Sequence, residues 1–301
     1  MMNAMRETKL DQIFVAINTV LLSGILIATL YPLVFVISAS ISDPDLVNSG
    51  RMILLPKGIS FEGYANVFKD SRIWTGYKMT IFYTLAGTLI NLAVTIPAAY
   101  SLSRKDFVGK KVIIIIFMAT MFFSGGLIPT YLLMKDIGIL NTIWSMLLPG
   151  ATSIWYIVIC RTYFQTNIPD ELREAAVIDG CTDFRLFFSI VLPLSSAIIA
   201  VMALFFGVSH WNNYFSALVY LSDKELFPLQ LILREILVKS EFNAQMLLIG
   251  SSDSEALGKE LRIAEQTKYA LIIVSTLPVM LAYPFIQKYF VKGVMVGSLK
   301  G

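Results

Sequence analysis

Asn167-Ile168-Pro169-Asp170-Glu171-Leu172-Arg173-Glu174-Ala175-Ala176-Val177-Ile178-Asp179-Gly180-Cys181-Thr182-Asp183-Phe184-Arg185 is a short polar stretch between two runs without a charged residue, 141–160 and 186–222. Proline is favoured at a first helical position, and Asp170 and Glu171 face the positive end of the helix dipole, so a helix starts there. Ile168, Leu172, Ala175, Ala176 and Asp179 recur at three- and four-residue spacing, which predicts both alanines on one face where a neighbouring backbone can approach closely. Gly180 suits the left-handed conformation that ends a helix, and Thr182-Asp183 can cap the next. Pro193, about two and a half turns into that second helix, predicts a bend. The stretch reads as a small rigid bracket: helix, sharp turn, helix.

The surroundings of the bracket set the fold class. The 301 residues are 56% apolar and only 15% charged, with a mean hydropathy of +0.70, whereas soluble domains are nearer a quarter charged. Charge-free blocks cover 13–37, 79–102, 112–134, 141–160, 186–222 and 269–287. Each is long enough as a helix to cross a hydrocarbon core of roughly 30 Å. The expectation is an all-α polytopic membrane protein, a single domain over 1–301, with six spans near 13–37, 79–102, 112–134, 141–160, 186–210 and 269–287. The first block is too long for a signal-peptide core and reads as an uncleaved helix. Half of the 24 basic residues fall in the short segments 1–12, 103–111, 161–185 and 288–301, which places both termini and the bracket, 167–185, on the cytoplasmic side. The outside loops are then 39–78 and 213–267. Within the second, Leu226, Leu229, Ile232, Leu233, Ile236 and Leu237 lie at helical spacing and predict an interfacial or partner-facing helix. The net charge of +3 reflects this topology, and no nucleic-acid partner is implied. Cys160 and Cys181 fall at the cytoplasmic side, where a structural disulfide is disfavoured.

Glu174, Ala175, Ala176, Gly180, Ile190, Leu192 and Pro193 stand at the offsets of the cytoplasmic EAA loop in permease subunits of ATP-binding-cassette importers, and the chain resembles that family. The segments 61–68 and 211–218 and the basic tail 287–294 are similar to its carbohydrate-import, maltose-permease-like subgroup. The resemblance implies a type I importer fold and a permease of a bacterial inner or plasma membrane that imports an oligosaccharide. It implies as partners a second homologous permease in a heterodimer, two ATPase subunits, an extracytoplasmic solute-binding protein, the sugar and the lipid bilayer. The bracket, with Glu174, Ala175, Ala176, Asp179, Gly180, Ile190, Leu192 and Pro193, would couple ATPase motion to alternating access. Glu174 would make polar contact with the ATPase, and the two alanines would allow close approach.

The chain itself carries no Gly-x-x-x-x-Gly-Lys-Ser/Thr loop, so ATP and Mg are expected on the partner ATPase and no cofactor on this chain. His210 is the only histidine, which excludes a two-histidine metal motif and leaves a boundary anchor beside Trp211 as its reading. No catalytic residue is expected. An ion-driven secondary transporter is the first alternative, but the central spans lack the Asp, Glu, Lys or Arg such proteins place in the membrane. The second, a non-transporting scaffold, leaves the bracket unexplained. Tyr83, Asn91, Trp211, Asn212 and Asn213 are the candidates for a sugar pathway, since sugars take aromatic faces and neutral hydrogen-bonding groups. For each the packing reading is the stronger one: Tyr and Trp belong to interfacial belts, and Asn91 reads as a residue that holds helices together.

Overall fold

The computed structural model describes residues 8–248, 262, 264–265, 267–281 and 284, and the regular structure among them is entirely helical. In order these are α1 (Lys9–Ser40), α2 (Pro44–Asn48), α3 (Glu62–Lys69), α4 (Ser71–Ser103), α5 (Lys110–Phe122), α6 (Leu127–Asp136), α7 (Trp144–Leu147), α8 (Ile154–Asn167) and α9 (Asp170–Ile178). They continue with α10 (Asp183–Leu186), a π turn over Phe187–Val191, α11 (Leu192–Leu194), α12 (Ser196–Trp211), α13 (Phe215–Tyr220), a 3-10 turn over Lys224–Leu226 and α14 (Leu229–Leu248), then α15 (Thr267–Leu281). The chain divides into two compact units, 1–70 with 235–275 and 71–234 with 276–301. The loop tip 251–255, the tail 287–294 and the end of the block 269–287 lie outside the described residues.

In the first unit α1 begins at a capping box: Thr8 Oγ1 accepts from the Asp11 amide, and Asp11 accepts from the Thr8 amide. These bonds satisfy amides that a helix start leaves unpaired. The apolar body of α1 is exposed as far as Val34, as a lipid-facing helix requires; Phe35 and Val36 are half-buried, and Ser38, Ala39 and Ser40 are buried. Ala39, Val47 and Met52 form a small core with Phe35 and Tyr269. Around it, Arg262 meets Asp45 at 3.3 Å and Asp43 at 3.6 Å.

The second unit is built on α4, α8, the bent α10–α12 helix and the bracket. Its core joins Ile96, Ala99 and Leu102 of α4 to Ile157, Cys160 and Phe164 of α8, and to Val191, Ile198, Met202 and Phe206 beyond the bracket. α1 and α4 are each long and apolar enough to cross a membrane. The pair α5 and α6 reaches that length only across a 113° break, and Asp183–Leu194 with α12 only across a 78° bend.

Three sequence expectations need revision. The block 112–134 is not one helix, because Gly126 takes φ +86° after Ser124-Gly125, a backbone that no right-handed helix continues through. In the block 141–160 the helix starts only at Ile154 and runs on to Asn167, after a non-helical 148–153 containing Pro149-Gly150. Finally, the apolar residues at the start of α14 are not turned outward as an interfacial helix. Leu229, Leu231 and Ile232 are buried, and the Leu229 amide donates to Thr80 Oγ1 at 2.8 Å. Gly76 permits that approach, since a Cβ there would stand 2.6 Å from Ile232 Cδ1.

Candidate functional site

The bracket forms as its residues dictate. α9 starts directly after Pro169 with Asp170 and Glu171 in its first turn. It ends at Gly180, φ +72°, where Cys181 N–H donates to Ala176 O at 2.9 Å and Gly180 N–H to Val177 O at 3.0 Å. This paired closure leaves few carbonyls open and fixes the direction of the exit. Thr182 then caps α10 by accepting from the Arg185 amide at 3.4 Å. Further on, Pro193 cannot donate to the carbonyl one turn back, and the wider π turn over Phe187–Val191 precedes it. The helix bends at Ser195, whose amide is shared between Val191 O and Leu192 O.

One expectation about the bracket is corrected. Ala175 and Ala176 do not share an outward face: Ala175 is exposed, whereas Ala176 is buried in the core with Leu186 and Phe187. The small side chain at 176 therefore lets α9 seat against its own bundle. Ile190 and Leu192 pack on the same core, while Glu174, Asp179 and Pro193 are exposed. The outermost groups are apolar, with Ile178 85% and Phe184 80% exposed. Large apolar side chains at the tip of a polar projection mark a surface made to be covered.

Sequence reading did not find the polar hold on α9. Asp106, just beyond α4, receives Arg104 at 3.1 Å and Arg173 of α9 at 2.8 Å, and Lys105 pairs with Asp170 at 2.6 Å. Hydrogen bonds from Arg104 hold the Asp106 carboxyl below its ordinary value, and Lys105 does the same for Asp170. The loop after α4 thus grips the first turn of α9 at both ends. Arg161 of α8 closes the end of α4 by donating to Leu102 O at 3.1 Å. Because Asp106 is half exposed, Asp106→Ala is expected to lower stability by no more than about 1 kcal/mol in a detergent melt. Its larger effect should be on the position of α9, read as faster proteolysis of 167–185, and the exchange Asp106→Arg with Arg173→Asp should reverse it.

The pathway candidates separate into two groups. Tyr83 is buried and its hydroxyl donates to Leu226 O at 3.0 Å. Trp211 is buried with its ring edge-on to Tyr77, and the Asn212 side-chain amide donates to Val208 O. Asn91 and Asn213, in contrast, line one cavity of about 280 Å³. His210 lines it too, and it is not a boundary anchor: it is buried, with Nε2 2.7 Å from Asn91 Oδ1. Asn91 Nδ2 donates to Gly150 O in the non-helical 148–153, so Asn91 Oδ1 accepts and His210 Nε2 carries the proton. Asn91 thereby ties α4, α12 and the 148–153 segment together, as its packing role required.

Residues 72–296 match the family model described as "Binding-protein-dependent transport system inner membrane component". The chain is 41% identical over 272 residues to the polygalacturonan/rhamnogalacturonan transport system permease protein YtcP of Bacillus subtilis (strain 168), covering 90% of this chain and 92% of that one. It is 35% identical over 299 residues to protein LplC of the same organism, covering 99% of both. Among solved structures, a bacterial ABC transporter involved in the import of the acidic polysaccharide alginate has a chain that superposes with a TM-score of 0.84 at 34% identity, over 95% of this chain and all of that one. With an all-helical fold, apolar membrane-length helices and a matched model over three quarters of its length, the chain belongs to the family of binding-protein-dependent transport system inner membrane components.

Proposed function

We propose that this chain is one permease half of an ATP-driven importer of oligosaccharides, uronate-rich ones foremost. The observation that carries the reading is the bracket, seated in its own bundle by Ala176 and gripped through Asp106, yet presenting Ile178 and Phe184 to solvent. Such a body passes on displacement without absorbing it. Two ATPase subunits, holding the ATP and Mg, would engage Ile178, Phe184, Ala175 and Glu174. Their closure on nucleotide would move α9, and the bent α10–α12 helix would carry the motion into the membrane. The bias between states comes from different contacts with nucleotide-bound and nucleotide-free ATPase.

Substrate class rests on the relatives, named for polygalacturonan/rhamnogalacturonan and alginate, both rich in uronates. The remaining parts follow the same scheme: six spans, both termini cytoplasmic, outside loops meeting an extracytoplasmic binding protein, and a second, different permease completing the pathway. Coupling residues are Glu174, Ala175, Asp179, Gly180, Ile190, Leu192 and Pro193, with Ala176 acting from within. Affinity purification of the tagged chain from its native membrane, followed by an ATPase assay, tests this reading. An ATPase subunit, a second permease and a binding protein should co-purify, and the pair Ile178→Asp and Phe184→Asp should release the ATPase while keeping the second permease. Recovery of the chain alone from complexes kept intact would reject the reading.

A further inference from the structure

From the cavity shared by Asn91, His210 and Asn213 we infer a solute subsite on this chain that takes an uncharged, hydroxyl-rich sugar ring face and not a carboxylate. The inference rests on the importer reading above and adds where and how the sugar is met.

Position comes first. The charged groups Arg104 and Lys105 and the Arg161–Leu102 bond mark one edge of the membrane region on α4 and α8. Asn91 lies eleven residues from Leu102 along α4, and at 1.5 Å per residue this is about 16 Å, near the middle of a hydrocarbon core of roughly 30 Å. Ser153, at the start of α8, lies about 12 Å from Arg161 by the same measure. The cavity is therefore near mid-depth. There the backbone over 148–153 is not helical, and Gly150 is exposed. Irregular backbone at that depth does not face lipid, and persists where it is buried in protein or lines a water-filled space. Thr152 and Ser209, both exposed, present hydroxyls at the same place. Those observations put the cavity on a wet face of the chain.

Chemistry comes second. Polar groups on the lining are hydroxyls of Ser145, Thr152, Ser153, Ser209, Ser216 and Tyr156 with Asn91, His210 and Asn213, and neither Lys, Arg, Asp nor Glu is among them. Asn91 and the His210 Nε2 proton are committed to each other. What remains for a ligand is the His210 Nδ1 acceptor, the Asn213 side-chain NH2 and neutral hydroxyls. Tyr156 and Phe206, ring centroids 5.0 Å apart, add an apolar wall on which C–H faces can lie. A carboxylate here would lose water without gaining a cation, which is costly. The volume of about 280 Å³ is at the small end for ligand sites and suits one ring. Discrimination for uronates then falls to the binding protein or to the second permease.

Ser209 stands on the exposed rim, so a larger side chain there fills the cavity without entering the core. In proteoliposomes containing the whole complex and its binding protein, with trigalacturonate as probe, Ser209→Phe is expected to lower uptake by about tenfold or more while stimulation of ATPase by the loaded binding protein persists. Uptake unchanged within about twofold would overturn the subsite, whereas absence of binding-protein-stimulated ATPase in the unsubstituted complex would instead strike the importer reading. Should Ser209→Phe fail to assemble, Ser209→Cys decides. A cationic, membrane-impermeant methanethiosulfonate should label it beyond the background of Cys160 and Cys181, and trigalacturonate with the loaded binding protein should slow the labelling. No labelling, or labelling that the sugar leaves unchanged, would overturn the inference.

Discussion

Gly180→Val is expected to cut sugar uptake by at least about tenfold while leaving the basal ATPase of the assembled complex nearly intact. The reason is conformational. Gly180 sits at φ +72° and a Cβ there would meet nothing within 4 Å, so no clash contributes and the whole cost is that of holding an L-residue in the left-handed region, about 1–2 kcal/mol. That cost is small against the stability of a membrane bundle but comparable with a single hydrogen bond of the turn. Valine is therefore expected to open the Cys181–Ala176 and Gly180–Val177 closures and let α10 leave its angle to α9. The bracket still docks and still permits hydrolysis, but it no longer passes on displacement. A substitution series separates this from mere bulk: Gly180→Asn, which tolerates positive φ, should retain most uptake, Gly180→Ala less, and Gly180→Val least. Uptake measured beside ATPase in proteoliposomes checks it, and equal behaviour of the Asn and Val variants would refute the conformational account.

The bracket was legible in the sequence because its determinants are local. Pro169, Gly180 and Thr182 each act through the backbone of their nearest neighbours, and the helix boundaries follow from them wherever the rest of the chain lies. The failures at Ala176, His210 and Asp106 concern information that is not local. Spacing put Ala175 and Ala176 on one stripe, but which edge of that stripe meets the core depends on α4 and α8, and Ala176 went inward. His210 beside Trp211 carries the composition of a membrane boundary; only folding brings it to Asn91, 119 positions away. The charge-free blocks report composition, and composition is blind to continuity. Ser124-Gly125-Gly126 and Pro149-Gly150 interrupt two blocks without adding a charge. Both interruptions carried a signal in their glycines and proline. Asp106 offered none, being one acid among the four basic residues of 104–111 until Arg173 is placed against it.

The other large effect is expected at Gly87, where α4 makes room for the histidine. A Cβ at this position would stand closer than 3.0 Å to three atoms of the His210 ring, which is itself fixed by Asn91. Gly87→Ala cannot be absorbed by swinging a flexible chain end, because an imidazole is rigid and its outer nitrogen is the group that bonds. Either α4 and α12 separate or the ring turns away and breaks the bond to Asn91. Overpacking costs about 1–3 kcal/mol, and a buried polar group left unpaired costs about the same, so a loss of about 2 kcal/mol or more is expected in a thermal melt of the purified complex. The source of the strain is testable through its removal. His210→Ala alone should also destabilise, since Asn91 Oδ1 loses its donor, but with the ring gone Gly87→Ala should add almost nothing further. Such non-additivity is the signature of two residues sharing one space. If the two losses simply add, the ring does not occupy the space over Gly87, and α4 and α12 are held together by something other than this pair.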